Sequence, residues 1–168
     1  MGDKVNLANQ DAIKKMQDMA KAVKVCMFCT YDGSNRLQTA PMSANKVDDD
    51  GSFWFISDKN SKRNEDLQSN KITDLIFGDP AKENYISLHG NSEILFDKQT
   101  IKDLWNPIVK TWFQGGVDDP NISIIKFTPD DAYYWDTKHG KMVSFLKIVV
   151  GAATGKTMDD GVEGKLTL

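Results

Sequence analysis

Along residues 10–23, QDAIKKMQDMAKAV, apolar side chains recur at Ala12, Ile13, Met16, Met19, Ala20 and Val23. That spacing predicts an amphipathic helix with a single apolar stripe. The period then changes. Val25 to Tyr31 is a dense apolar and aromatic run, DGSN at 32–35 turns the chain, and Leu37 to Val47 is extended again. DDDG at 48–51 leads into a third strand, Ser52 to Ser57, and a short helical stretch follows over 61–70. Ile72 to Phe77 and Tyr85 to Phe96 read as strands on either side of a Gly78-Asp79-Pro80 turn. Lys98 to about Phe113 reads as helix, interrupted at Pro107 and stopped by Gly115-Gly116. Ile122 to Thr128 and Ala132 to Thr137 then predict two strands divided by Pro129, and Met142 to Ala153 is apolar and fits either strand or helix.

Connections this short require mostly antiparallel pairing, because a parallel return needs a longer crossover. Six or seven short strands with few helices to cover them are best served by closing the sheet on itself. The expected fold class is therefore mainly β, a small antiparallel barrel with helices packed on its outside, with a sandwich as the competing architecture. A length of 168 residues fits one domain, 1–168, with a real core.

Composition narrows the function classes. The chain carries 21 Lys and Arg against 24 Asp and Glu, mixed along its length, so the basic footprint of a nucleic-acid binder is missing. MGDKVNLANQ at the N-terminus has no apolar signal-peptide core, and Asn6 stands where a myristoylation signal has Ser or Thr. IVVGAA, the most apolar late stretch, is far too short to span a bilayer. A soluble cytoplasmic protein without nucleic-acid or membrane partners is expected.

Several patterns imitate known motifs. CMFC at 26–29 has the form C-x-x-C, but it falls in a strand, where side chains three apart point to opposite faces. No second Cys pair or nearby His completes a metal site. GAATGKT at 151–157 is one residue short of a phosphate loop. VDDDG has contiguous rather than alternating acids and no closing Glu, so it reads as a hairpin turn rather than a calcium loop. His89 and His139 each precede a glycine and lie far apart. No metal ligand and no catalytic side chain is expected from these.

The informative stretch is FWFISDKNSKRNEDL, residues 53–67. Ser61 is a good N-cap for the helix that follows. Lys62 and Arg63 then occupy a first turn that already carries partial positive charge, a conflict costing a few tenths of a kcal/mol each. A bound phosphate would remove it, with free backbone N–H groups, the Ser61 hydroxyl and the cations converging on one anion. An ordinary surface network with Asp58 and Glu65 would remove it too.

DKNSKR at this strand-to-helix junction, with NKITDLIFGD after the helix, resembles the core of the pyridoxamine-phosphate-oxidase-like split-barrel flavoproteins, and more narrowly their general stress protein 26 group. The resemblance continues through APMSAN (40–45), YISLHGNSEILFD (85–97), the run from Asp103 to Asp136 and VVGAATGK (149–156). It implies a split β-barrel homodimer that binds FMN between subunits. In that family a Ser-x-Lys/Arg at the helix start holds the flavin phosphate, which here falls on Ser61 and Arg63 with Lys62 alongside. Phe55, Ile56 and Ser57 would line the isoalloxazine ring together with the run Ala40, Pro41, Met42, Ser43 and Asn45. Trp112, Phe113 and Trp135 correspond to the family's late aromatic contacts, the partner subunit being one source of them. Relatives often carry arginines in the strand before Pro-Met. This chain has Gln38 and Ala40 there, which shifts phosphate binding toward Lys62 and Arg63. The C-terminal arginine pattern with which true pyridoxamine-phosphate oxidases hold substrate is also absent, so vitamin B6 synthesis is not expected.

A flavin is a flat apolar ring on a charged tail, and it needs apolar walls at one end and an anion cradle at the other. Two functional expectations follow from the resemblance. One is an FMN-dependent oxidoreductase working with a small-molecule redox partner. The other is a stress protein that holds or stores flavin without turnover. A cofactor-free barrel serving as an oligomeric interaction module is the third alternative.

Overall fold

The structure, a computed structural model, describes residues 3–5, 7–137 and 161–167. Its elements run β1 (Asp3–Lys4), β2 (Leu7–Ala8), α1 (Asn9–Val23), β3 (Val25–Tyr31), β4 (Leu37–Ser43), β5 (Lys46–Val47) and β6 (Phe53–Asp58). Then come α2 (Lys62–Ser69), β7 (Ile72–Asp79), β8 (Asn84–Leu95), α3 (Lys98–Leu104), α4 (Pro107–Trp112), β9 (Ile122–Thr137) and β10 (Gly161–Thr167). The apolar tail around Met142 to Ala153, the GAATGKT stretch and His139 lie outside the described residues.

One ten-stranded sheet runs β1-β10-β9-β8-β7-β3-β4, with β6 on β9 and β5 on β6. Antiparallel pairing dominates as expected, but β1 and β2 both run parallel to β10. The sheet does not close on itself: among the described strands β4 pairs only with β3, while β6 pairs with β9 and β5. The expectation of a split barrel holds, and that of a fully closed sheet is corrected. In place of a ladder between β4 and β6 there are the bonds of Asn45, whose N–H donates to Trp54 O at 2.8 Å. Its side-chain Oδ1 accepts from Ile56 N at 3.1 Å.

Strand alternation sorts the aromatics between two cores. Phe53 and Phe55 on β6 point inward with Phe28, Phe77 and Phe127, all essentially inaccessible to solvent. The apolar stripe of α1, from Ala12 to Ala20, packs onto the same cluster. On the opposite face of β6, Trp54 and Ile56 join Ile122 and Ile124 under Ile101, Leu104, Val109 and Phe113 of the α3–α4 region. Burying a Phe or Ile side chain stabilises by about 1.5–3 kcal/mol, so both clusters hold β6 firmly in place.

Pro129 does not separate two strands. β9 continues through it for 16 residues, and the register against β8 shifts so that Gly90 faces Pro129 while His89 faces Asp131. A proline lacks a ladder donor and is tolerated where a bulge already interrupts pairing. β7 likewise runs on through Gly78 and Asp79, and the turn falls at 80–83. Cys26 lies in the inner core and Cys29 on the other sheet face; both are buried free thiols. Among the described residues no helix is long and apolar enough to cross a membrane.

Candidate functional site

Where the sheet fails to close, a cleft of about 600 Å³ opens between β4 and β6. One wall is Pro41, Met42, Ser43, Ala44 and Asn45, and the other is Ile56, Ser57 and Asp58. Arg63 enters from α2, Lys24 from the C-terminal cap of α1, Val25 from the start of β3, and Asn106, Ile108, Val109, Trp112 and Phe113 from α4 and its flanks. The α4 wall exists because Asn106 caps that helix, its Oδ1 accepting from Ile108 N at 2.9 Å and Val109 N at 3.1 Å. Pro107 is the first helical residue, a position where its missing N–H and fixed φ suit the helix. It starts α4; it does not break one long helix.

The polar end of the cleft is built around Ser57. The Ser57 hydroxyl donates to Asn64 Oδ1 at 2.9 Å and accepts from an Arg63 guanidinium nitrogen at 3.1 Å. Buried Asn64 is fixed in turn by Ser123, to whose hydroxyl its amide donates at 2.7 Å. Ser61 is the N-cap of α2 as expected, accepting from Asn64 N at 3.3 Å, and its hydroxyl stands 3.4 Å from that of Ser57. Arg63 rests over the Phe28 ring, 5.8 Å from its centroid. Among the described residues it has no ion-pair partner, and its Nε is buried with no hydrogen bond. Burial pulls the guanidinium below its ordinary pKa, with the Cys26 thiol acting in the other sense. A half-buried charge with no counter-charge and an orphaned donor is costly on its own, which is the condition an incoming anion relieves. The residues present fit a phosphate.

Lys62 behaves differently. Its Nζ pairs with Glu65 at 3.1 Å and Asp66 at 3.0 Å, and it points away from the cleft. The surface-network reading therefore describes Lys62, with Asp66 as a partner in place of Asp58. Four other expected ligand residues also stand off the cleft wall. Ser61 acts one bond behind it, through the cap. Phe55 faces the inner core against Phe28, their ring centroids 5.2 Å apart. Ala40 pairs with Phe28 in the β3–β4 ladder. Trp135 lies on the outer face of β9 beside Tyr133, at 4.9 Å. Gln38, at the other position where relatives often carry arginine, donates to Asp32 Oδ2 at 3.0 Å and so is tied to the hairpin turn.

The structure thus brings Pro41, Met42, Ser43, Asn45, Ile56, Ser57, Arg63, Trp112 and Phe113 together. The sequence reading missed Lys24, Asn64, Asn106, Ile108, Val109 and Ser123. Asn106 was the most accessible of these, since an Asn directly before a Pro is a helix-start signal. The outward positions of the sheet are apolar beside the cleft. Met27 pairs with Ile76 and with the cleft residue Pro41, and Tyr85 pairs with Trp135. Met27, Ile76, Tyr85 and Trp135 are all well exposed.

Comparison with known proteins places this geometry in context. The family model described as "Pyridoxamine 5'-phosphate oxidase like" matches residues 11–159. A general stress protein 26 from Jannaschia sp. CCS1 is similar in structure with a TM-score of 0.75 and 27% identity, covering 95% of this chain and 99% of that one. The general stress FMN/FAD binding protein of Xanthomonas citri has a TM-score of 0.64 and 25% identity, covering 74% and 87%. Among curated sequences, protein bli-3 of Neurospora crassa is 24% identical over 110 residues, 61% of this chain. The chain spans about half the length of that curated relative, 53%.

Proposed function

The chain belongs to the pyridoxamine 5'-phosphate oxidase-like family, and from that membership and its cleft we propose that it binds FMN as a general-stress-type flavoprotein. The carrying observation is Arg63, a half-buried guanidinium with an unbonded Nε and no carboxylate partner among the described residues. Phosphate would sit against the Arg63 guanidinium and the Ser57 hydroxyl, which line the polar end of the cleft beside the start of α2. The ring extends along Pro41 to Asn45, opposite Ile56, with Trp112 and Phe113 at the α4 side. The Xanthomonas citri relative, described as FMN/FAD binding, supports the same reading.

Bound FMN would supply hydride or electron transfer, and the protein binds, orients and shields it. The ionisable groups lining the cleft are Lys24, Asp58 and Arg63, none of them placed as a general acid or base. That observation keeps flavin holding without turnover as the second reading. Reduction of the bound flavin by NAD(P)H followed by reoxidation with an added acceptor separates oxidoreductase from holder. The proposal extends to a homodimer formed through the exposed face of Met27, Ile76, Tyr85 and Trp135, which adjoins the cleft at Pro41 and Val25. It also extends to the cytoplasm, where two free thiols would stay reduced.

The test is binding. Arg63→Ala removes charge-assisted hydrogen bonds worth about 1.5–3 kcal/mol, so FMN affinity should fall about 10- to 100-fold. Riboflavin, which has no phosphate, should change less than about threefold. Equal losses for the two ligands would remove the phosphate cradle and the proposal with it.

A further inference from the structure

Among the described residues two cations without an ion-pair partner reach the cleft, Arg63 and Lys24, and the flavin reading uses the first. Lys24 lines it as well; its side chain is exposed and, among the described residues, makes no hydrogen bond or ion pair. Four residues of extended chain, roughly 13 Å, separate it from Phe28, over whose ring Arg63 sits. The walls between are largely apolar, with Pro41, Met42, Ala44 and Ile56. Asp58, the one carboxylate in the lining among the described residues, is taken up by its own loop, accepting from Asn60 N at 2.8 Å. A cation after a helix C-terminus is favoured by the dipole, so the charge alone says little. The backbone says more. Lys24 holds φ 66° and ψ −42°, a conformation that glycine adopts freely and a side-chain-bearing residue only under strain. A lysine stands at a cleft wall where glycine would fit at lower backbone cost.

We propose that Lys24 receives the anionic group of a second ligand, so that the cleft selects planar aromatic carboxylates over neutral molecules of the same shape. The orientation rests on the FMN reading: with phosphate at Arg63 the ring extends toward Lys24, and the second ligand meets the ring there. An exposed pair of this kind is worth about three- to fivefold in affinity.

The experiment titrates FMN-loaded protein with benzoate and with benzamide, followed by flavin absorbance and by tryptophan fluorescence. Wild type should bind benzoate about three- to fivefold more tightly. Lys24→Gly should abolish that preference without lowering the melting temperature, because glycine suits the backbone, and Lys24→Arg should keep it. Equal binding of the two probes by wild type, or a preference that survives in Lys24→Gly, would overturn the assignment. So would a parallel loss of FMN and riboflavin in Lys24→Gly, which would give the lysine to the flavin ring. If wild type takes up no FMN, tryptophan fluorescence of the flavin-free protein reads the same pair. A benzoate preference lost in Lys24→Gly then upholds the Lys24 site and sinks only the flavin reading.

Discussion

Lys62 and Arg63 are adjacent in the chain, yet a helix turns about 100° between them, and that rotation decides which one has a function. At the first helical position Lys62 has Glu65 and Asp66 three and four residues on, and it is tied to both. Arg63 has Leu67 four residues on and turns to Ser57 and the Phe28 ring. Lys62→Ala should leave FMN affinity near wild type by equilibrium binding, yet lower stability by about 1–3 kcal/mol, because it leaves the buried Asp66 carboxylate without its cation. Lys24→Gly should raise stability by about 0.5 kcal/mol, read from chemical denaturation, because relief of the strained backbone at φ 66° slightly outweighs the added freedom of the unfolded chain. Helix spacing makes the Lys62–Glu65 pair legible in the sequence, whereas Asp66, buried four residues on, takes the place expected of Asp58. The rotation of Arg63 into the cleft depends on Ser57 and Phe28, which are distant in sequence and come together only through the fold.

Among the elements, β3, β6, α2 and the start of β8 lie within one or two residues of where the hydrophobic pattern puts them, because each has a sharp change of period at its ends. β9 and β10 do not. Pro129 reads as a boundary, and the structure passes through it because Gly90 on β8 leaves room. A Cβ at Gly90 would meet Thr128 O at 2.1 Å and Pro129 Cα at 2.8 Å, both backbone atoms. Gly90→Ala should accordingly destabilise by about 3 kcal/mol, seen as a lowered denaturation midpoint with an unchanged slope. β10, GVEGKLT, is polar and glycine-rich, and only its pairing with β9, β1 and β2 makes it a strand. Parallel contact between the two chain ends has no local signature at all.

For the whole molecule, Cys26 and Tyr31 are raised most among thiols and phenols that burial or a nearby acid pushes up, Cys29, Tyr133 and Tyr134 included. Burial, the largest influence, pushes the Cys26 thiol up from its ordinary value of 9.0 to about 12. A hydrogen bond to Asp74 pushes the Tyr31 phenol up from 10.0 to about 12. Both keep their protons longer when folded than when unfolded, so their stabilisation is complete below the ordinary values and drains away as pH climbs toward 12. Urea midpoints should fall steadily from about pH 9 upward, and Tyr31→Phe should make that fall shallower. If the exposed face of Met27 and Ile76 joins two copies, Ile76→Glu should shift the protein to a monomer in sedimentation; a wild-type monomer would remove the dimer proposal. The split in the barrel has one further effect. Among the described residues, the hydrogen bonds that tie the end of β4 to β6 are those of Asn45, so the two edges of the cleft face each other where no ladder rung joins them. A guest can therefore fill the gap without displacing any strand pairing.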